Sequence, residues 1–401
     1  MLSVKQPGLL NFISMVPIGI CTFADPVSNK YMMVVKATKE ALLAVKLKKT
    51  IHFYLAKCHI NDSIVHTLVT AFPDDDFDPL MLVTPLLQDE MAESILQMLS
   101  YESFDIHFFD ENNRELLAYK ARNPSYKSFN PDDYSLATST IQNAEKLVEL
   151  GRYWFSLRDY KDDESAIKLE FIESIIADDI AIMDLTSGRG ITHSGSSFFI
   201  SMLEREEPGS FQESDIARLL SRNFFEDLIY INPLRTDNNE EFVDVLVSCA
   251  GYNLLVQAKD SPNTEQSMNR SLQRKRKTVS KSLDKAIMQT RGAARYLKKS
   301  ATLEIHFGNG TLYIQTAQSK SRCLIVLQEV FDDDRESYSK RVLALSKDVG
   351  IPCLFLGYAE LNNWTSKLED AAAFNRAFDT VYEKGLESGF IQPVTFKALA
   401  E

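Results

Sequence analysis

Three side chains in the stretch E-F-V-D-V-L-V-S-C-A-G-Y-N-L-L-V-Q-A-K-D, residues 241–260, have types that could do chemistry together: Asp244, Gln257 and Lys259. A carboxylate and an amide oxygen suit a hard divalent cation, and an ammonium beside them can orient a water and offset charge in a transition state. Their convergence depends on local structure. Phe242 to Val247 and Leu254 to Ala258 are aliphatic and β-branched runs flanking a short polar segment with Gly251, the pattern of a hairpin between buried strands. A turn centred on Ala250 and Gly251 sets Asp244 directly opposite Gln257. Side chains alternate along a strand, so Gln257 and Lys259 share a face and Asp244 points to it. Such groups are costly to bury in apolar strands unless they bind something. The same short spacing also fits a hairpin whose polar face looks at solvent.

Immediately downstream the composition changes. Between Gln266 and Lys299 the only acid is Asp284, while Arg270, Arg274, Lys277, Lys281 and Lys285 recur every three or four residues, the rhythm of one helix face. The chain carries a net charge of −12, which excludes a protein that coats nucleic acid over its whole surface; any polyanion site must be a local patch. This run is the obvious landing strip for a phosphate backbone. A helix that is merely solvated would carry charges of both signs at salt-bridging spacing, and the acids are nearly missing here.

Asp244, Gln257, Ala258 and Lys259, with an apolar strand on each side, resemble the PD-(D/E)xK nuclease superfamily, in the Q-x-K variant of Mrr-type restriction enzymes. Val243 stands where the family name has proline, and Gln257 where it has Asp or Glu, so the site has one carboxylate fewer. The resemblance covers about residues 210–358. It implies an α/β fold whose C-terminal part is a restriction-endonuclease-like mixed sheet flanked by helices. It also implies a magnesium site, with manganese as substitute, formed by Asp244 and Gln257 with a helix glutamate. Glu213 is the candidate for that glutamate. It is also the last residue of Ser210-Phe211-Gln212-Glu213, a capping box ahead of the apolar face Ile216, Leu219 and Leu220, and both roles stand open. Glu241 lies three residues before Asp244, on the opposite face of an ideal strand, and reaches the site only if the strand bends or begins late.

The activity implied is metal-dependent phosphodiester hydrolysis, most readily by a DNA endonuclease of restriction or phage defence, with Lys259 orienting the attacking water. The missing acid motivates a second reading, a catalytically inactive nuclease-fold module that binds DNA. RNA ranks below DNA, since no RNA-recognition aromatic motif occurs. Cleaving both strands with one site per chain would favour a homodimer.

At 401 residues the chain exceeds one average domain. Residues 1–125 read as a separate α/β or α+β domain, a sensor, specificity or partner-binding module; 126–205 as a linker and helical connecting region; and 206–401 as the nuclease-like domain. In the first part, Tyr31–Val35 and Ile51–Ile60 read as strands, Ser63–Ala71 and Gln88–Leu99 as helices, and Phe104–Phe109 with Glu115–Ala121 as a hairpin. Helical stripes are expected at Ile141, Leu147, Leu150 and Tyr153, and at Ile167, Phe171, Ile175 and Ile176. Toward the C-terminus the expected order is strand 224–232, a hairpin turning at Asn309-Gly310, strand 323–330, helix 338–347, strand 351–356 and a closing helix 364–384 with Phe374 and Phe378 inward.

Five scattered cysteines without a CxxC spacing suggest neither a disulfide framework nor zinc, and a reducing cytoplasm fits them. The six histidines never occur as HxxxH or HxH, and none is assigned to a metal. The acidic run 74–78 reads as a solvated turn and the glycine- and serine-rich 187–197 as a loop. No apolar stretch approaches the length of a membrane span.

Overall fold

The computed structural model describes residues 1–6, 8–16, 18–24, 30–74, 79–184, 199–205, 209–249, 251–260, 262–268, 270–308, 310–316 and 320–393. Ala250, Asn309, residues 75–78 and the segment 187–197 thus lie outside the described residues. The protein is an α/β chain of two units: Met1–Ile182 with Met202–Glu204 and Asn263–Asn269, and Met183–Ser201 with Arg205–Pro262 and Arg270–Glu401.

The first unit contains helices α1 (Leu2–Lys5), α2 (Leu9–Met15), α3 (Lys39–Lys48), α4 (Glu90–Leu99), α5 (Ile141–Leu157) and α6 (Tyr160–Ser165). Its strands are β1 (Gly19–Ala24), β2 (Tyr31–Lys36), β3 (Thr50–Ile60), β4 (Ser63–Phe72), β5 (Leu80–Pro85), β6 (Ser103–Phe109), β7 (Glu115–Arg122) and β8 (Ile167–Ser174). They form one eight-stranded sheet in the order β1-β2-β6-β7-β8-β3-β4-β5, mixed because β2 and β6 run parallel. Ile20 N donates to Thr84 Oγ1 at 3.0 Å, so the two edge strands meet and the sheet curls into a nearly closed barrel. Helix α3 is buried nearly all round, through Ala41, Leu42, Leu43, Ala44 and Val45, as a helix within a core must be.

Two segments expected as helices are strands here. Ser63–Phe72 pairs antiparallel with β3 across Asn61-Asp62, with Asn61 at φ 53°, and its Ile64, Val65, Thr67, Val69 and Thr70 are β-branched residues that suit a sheet. Ile167–Ser174 sits between β7 and β3; buried Ile167 and Leu169 alternate with exposed Lys168 and Glu170, a period of two that the longer spacing of Ile167, Phe171 and Ile175 disguised. The region 126–205 is therefore no simple connector, since its described part through Ile182 belongs to the first unit. β9 (Ile182–Asp184) and β10 (Phe199–Ser201) pair as a two-stranded ribbon.

The second unit runs α7 (Gly209–Leu220), β11 (Ile229–Ile231), β12 (Leu234–Arg235), β13 (Val245–Cys249) and β14 (Tyr252–Lys259). After α8 (Glu265–Met268), which counts with the first unit, come α9 (Leu272–Leu297), β15 (Thr302–Phe307), β16 (Gly310–Gln315), β17 (Lys320–Leu327), α10 (Arg335–Val349), β18 (Cys353–Gly357), α11 (Tyr358–Lys367) and α12 (Ala371–Ser388). Its main sheet has the order β11-β13-β14-β17-β18, with β13 antiparallel to β14 and the pairs β14/β17 and β17/β18 parallel. A small second sheet joins β12, β15 and β16. The hairpin register is the one centred on 250 and 251, from Cys249↔Tyr252 to Val245↔Val256, and Gly251 supplies the positive φ of the turn.

The strand expected over 224–232 is shortened to β11 by a 3-10 turn at Glu226–Leu228. The expected closing helix is two, because the chain breaks after Lys367 and Asp370 Oδ1 caps α12 by accepting Ala373 N at 2.7 Å. Phe374 and Phe378 are fully buried. Among the described residues all five cysteines are free thiols, and no helix is long and apolar enough to cross a membrane.

Candidate active site

Strand β14 ends in Gln257-Ala258-Lys259. Across the hairpin, one step before β13 begins, Asp244 turns its carboxylate toward that end: Oδ2 accepts from Ala258 N at 2.5 Å and lies 3.4 Å from Lys259 Nζ, which also donates to the Ala258 carbonyl at 2.6 Å. Asp244 is only 4% exposed, so its charge is held by these donors rather than by bulk water. Gln257 is 3% exposed and its Nε2 is buried without a hydrogen-bond partner. Buried amides are nearly always satisfied, so this unpartnered N–H2 group is a donor that an acceptor oxygen would complete.

Glu213, on α7, reaches the same neighbourhood. Its Oε2 accepts from Asn232 Nδ2 at 2.8 Å, and its pKa is raised first by burial and then by the Asp244 charge, against the opposing pull of Asn232 and Lys259. Its carboxylate therefore serves Asn232, and Asp244 and Lys259 lie within range of its charge. Asn232 had no assigned role, yet it ties the site together: its backbone N–H donates to the Asp244 carbonyl at 2.9 Å while its side chain holds Glu213. Asn232 has φ 50°, a left-handed conformation that asparagine tolerates. The sequence signal was Asn232-Pro233 directly after an apolar strand, a break that places a short polar side chain at the strand end.

Glu241 also joins the site. The neighbouring Asp244 carboxylate, with burial and the charge of Glu213, pushes its pKa up to about 8, against the pull of Lys259. The condition set by the sequence is met, because β13 begins only at Val245 and the chain bends at Phe242 and Asp244.

The predicted basic residues divide. Helix α9 packs Val279, Leu283, Ala286, Ile287, Ala293, Ala294 and Leu297 inward. Arg274, Lys277, Lys281 and Lys285 lie on the opposite face, all exposed and, among the described residues, without a carboxylate partner. Arg270 lies two residues ahead of the helix. The seam with α10 is salt-bridged instead: Arg276 to Asp333 and Asp334, Arg291 to Asp348, and Asp284 to Arg341. One edge of the helix is thus neutralised and its outer face is a bare cationic stripe.

Asp244 supplies carboxylate oxygens, as a hard divalent cation requires, while the unpartnered atom of Gln257 is its amide nitrogen, a hydrogen-bond donor. Among the described residues no three His, Cys, Asp or Glu side chains form a ready-made cage. The residues fit a cation held by few protein ligands, with water completing its shell, as magnesium commonly is. Comparison with family models and with curated proteins finds no match.

Proposed function

We propose that this protein is a metal-dependent nucleic-acid phosphodiester hydrolase, most directly a DNA endonuclease, with its reaction centre at Asp244, Gln257 and Lys259. The observation that carries the reading is the meeting of the Lys259 ammonium, the Asp244 carboxylate and the Ala258 N–H at the end of β14. Asp244 and the Gln257 oxygen would hold the cation, with Glu213 assisting from α7. When bound, magnesium supplies Lewis acidity toward the phosphodiester. Lys259 orients the attacking water and offsets the negative charge that builds on the phosphoryl oxygens. Arg274, Lys277, Lys281 and Lys285, with Arg270 ahead of them, bind the phosphates of the strand being cut. The family resemblance of the D…QxK hairpin supports the same reading, and with it a role in restriction or phage defence, the first unit serving as the specificity or sensor part.

The test is a cleavage assay on linear and circular duplex DNA with magnesium, manganese or chelator. Cleavage by the wild type that is lost in Asp244→Ala and Lys259→Ala supports the proposal; wild-type cleavage in either variant refutes it. A second reading, a DNA-binding module without catalysis, is favoured by one observation, the amide at 257 where the family pattern has an acid. It predicts retarded DNA in the same gels with no cutting in any divalent ion.

A further inference from the structure

The register of the barrel strands turns one set of side chains to a single face: Cys21 on β1, Val34 and Lys36 on β2, His107 and Phe109 on β6, and Glu115 on β7. Their alternates Ile20, Val35 and Phe108 face the main core of the unit. Phe109 thus lies in one row between a cation, Lys36, and an anion, Glu115. Helices α1 and α2 cover this face. Their Leu2, Leu9 and Ile13 pack with Cys21, Val34 and Phe109 in a cluster of its own, and among the described residues the main core takes no side chain from residues 1–16.

Four and seven residues long, these helices are far too short to be stable alone. Charge holds them at both ends. Helix α1 has no side-chain cap of its own; instead the N–H groups of Leu2 and Ser3 donate to Glu115 Oε1 and Oε2 at 3.0 and 2.8 Å, and Ser3 Oγ donates to Oε2 at 2.8 Å. His107 Nδ1 shares Oε1 at 2.8 Å. At the other end Lys36 Nζ donates to the carbonyls of Ile13 and Val16, at 3.1 and 2.9 Å, which α2 leaves open at its C-terminus. Glu115 is 1% exposed and Lys36 6%, so each charge sits out of bulk water against the segment it holds. A buried charge that loses its partners is costly, and the two anchors therefore engage or let go together with the apolar contacts between them.

We propose that residues 1–16 form a latch, which docks and releases as one piece on the outer wall of the barrel and leaves the eight-stranded sheet folded when it opens. Its anchors are Glu115 and Lys36, and Cys21 is the thiol it covers. The barrel closes without it, through the Ile20–Thr84 contact and the core beneath. Ser3 is the control point. It is half-buried and already against Glu115, so a negative charge added there sets like against like and pushes α1 off.

The experiment times the alkylation of single thiols in the full chain with iodoacetamide, read residue by residue by peptide mass spectrometry. Cys21 reports the latch, and Cys58, 3% exposed on β3 in a separate cluster, reports the barrel itself. Ser3→Asp alters the strap and no barrel residue; Lys36→Met removes the anchor at the other end. Both should speed Cys21 at least about 10-fold, the change expected for losing hydrogen bonds to a charged group, with Cys58 unchanged. Val4→Ala, at a side chain 71% exposed, should leave Cys21 at the wild-type rate. Hydrogen exchange should show the amides of residues 2–16 losing protection together in Ser3→Asp. Cys21 at the wild-type rate in either anchor variant overturns the latch. So does Cys58 speeding up along with Cys21, since the strap would then belong to the barrel's own folding unit.

Discussion

The Lys259 ammonium lies 3.4 Å from Asp244 Oδ2, and the same oxygen accepts the N–H of Ala258 at 2.5 Å. One carboxylate oxygen is thus fixed by a backbone donor of β14 and by the side chain that follows it. Two donors thus hold Asp244, and on the proposed reading Lys259 orients the attacking water from beside it. Replacing Lys259 by Ala should lower cleavage by ~10²–10³-fold, the usual cost of losing one charge-stabilising group in a reaction centre. Far-UV circular dichroism should be unchanged, because Ala258 N still holds Asp244. Initial rates at saturating magnesium check this.

The stripe on α9 predicts a salt dependence. Each phosphate contact contributes about −0.9 to the slope of log K against log salt, so replacing Lys277 and Lys281 by Ala should flatten the slope by roughly two. Arg276→Ala should leave the slope unchanged and instead lower the melting temperature, since Arg276 is committed to Asp333 and Asp334. Fluorescence anisotropy with a labelled duplex at several salt concentrations separates the two.

Asn232 predicts a positioning effect. Asn232→Gly keeps the left-handed backbone and the N–H on the Asp244 carbonyl but removes the amide that holds Glu213. Metal affinity should fall by about 10-fold with little change in stability, as for other groups that orient ligands from outside. An unchanged affinity would separate Glu213 from the metal.

Much of this site was legible because its geometry is local. Gly251 and the two apolar runs fix the hairpin register, and the register fixes which side chains face one another, so the approach of Lys259 to Asp244 could be read from sequence. The α9 stripe was legible because an inward apolar face and an outward basic face are one pattern seen from two sides. Glu241 and Asn232 were not, since both depend on the ribbon 232–244, whose shape is set by β15, more than sixty residues away in sequence. The first unit misled in a different way. Ser63–Phe72 and Ile167–Ser174 carry apolar residues at spacings that fit a helix as well as a strand; the tight turn at Asn61-Asp62 decided the first, and pairing with the distant β3 and β7 decided the second.

That unit also carries a pH-dependent element. Glu111, in the turn between β6 and β7, is 2% exposed, with Oε2 unpartnered. Burial, opposed by Lys39 and reinforced by Glu40 and Asp110, pushes its pKa from 4.5 to about 8. The folded chain therefore binds this proton more tightly than the unfolded chain does. Its contribution is present below about pH 4.5 and is lost as pH rises through about 8. Thermal melts of the wild type should weaken across that window, and Glu111→Gln should remove this part of the slope and gain on the order of 1–3 kcal/mol at pH 8. Superimposable profiles for the two proteins would contradict it.

The most direct test of the central claim is anomalous X-ray scattering from crystals soaked in manganese. The account predicts a peak in contact with the Asp244 carboxylate and the Gln257 side-chain oxygen, absent from Asp244→Ala crystals soaked in the same way. A wild-type map with no peak there at saturating manganese, or with the ion bound elsewhere, would contradict it.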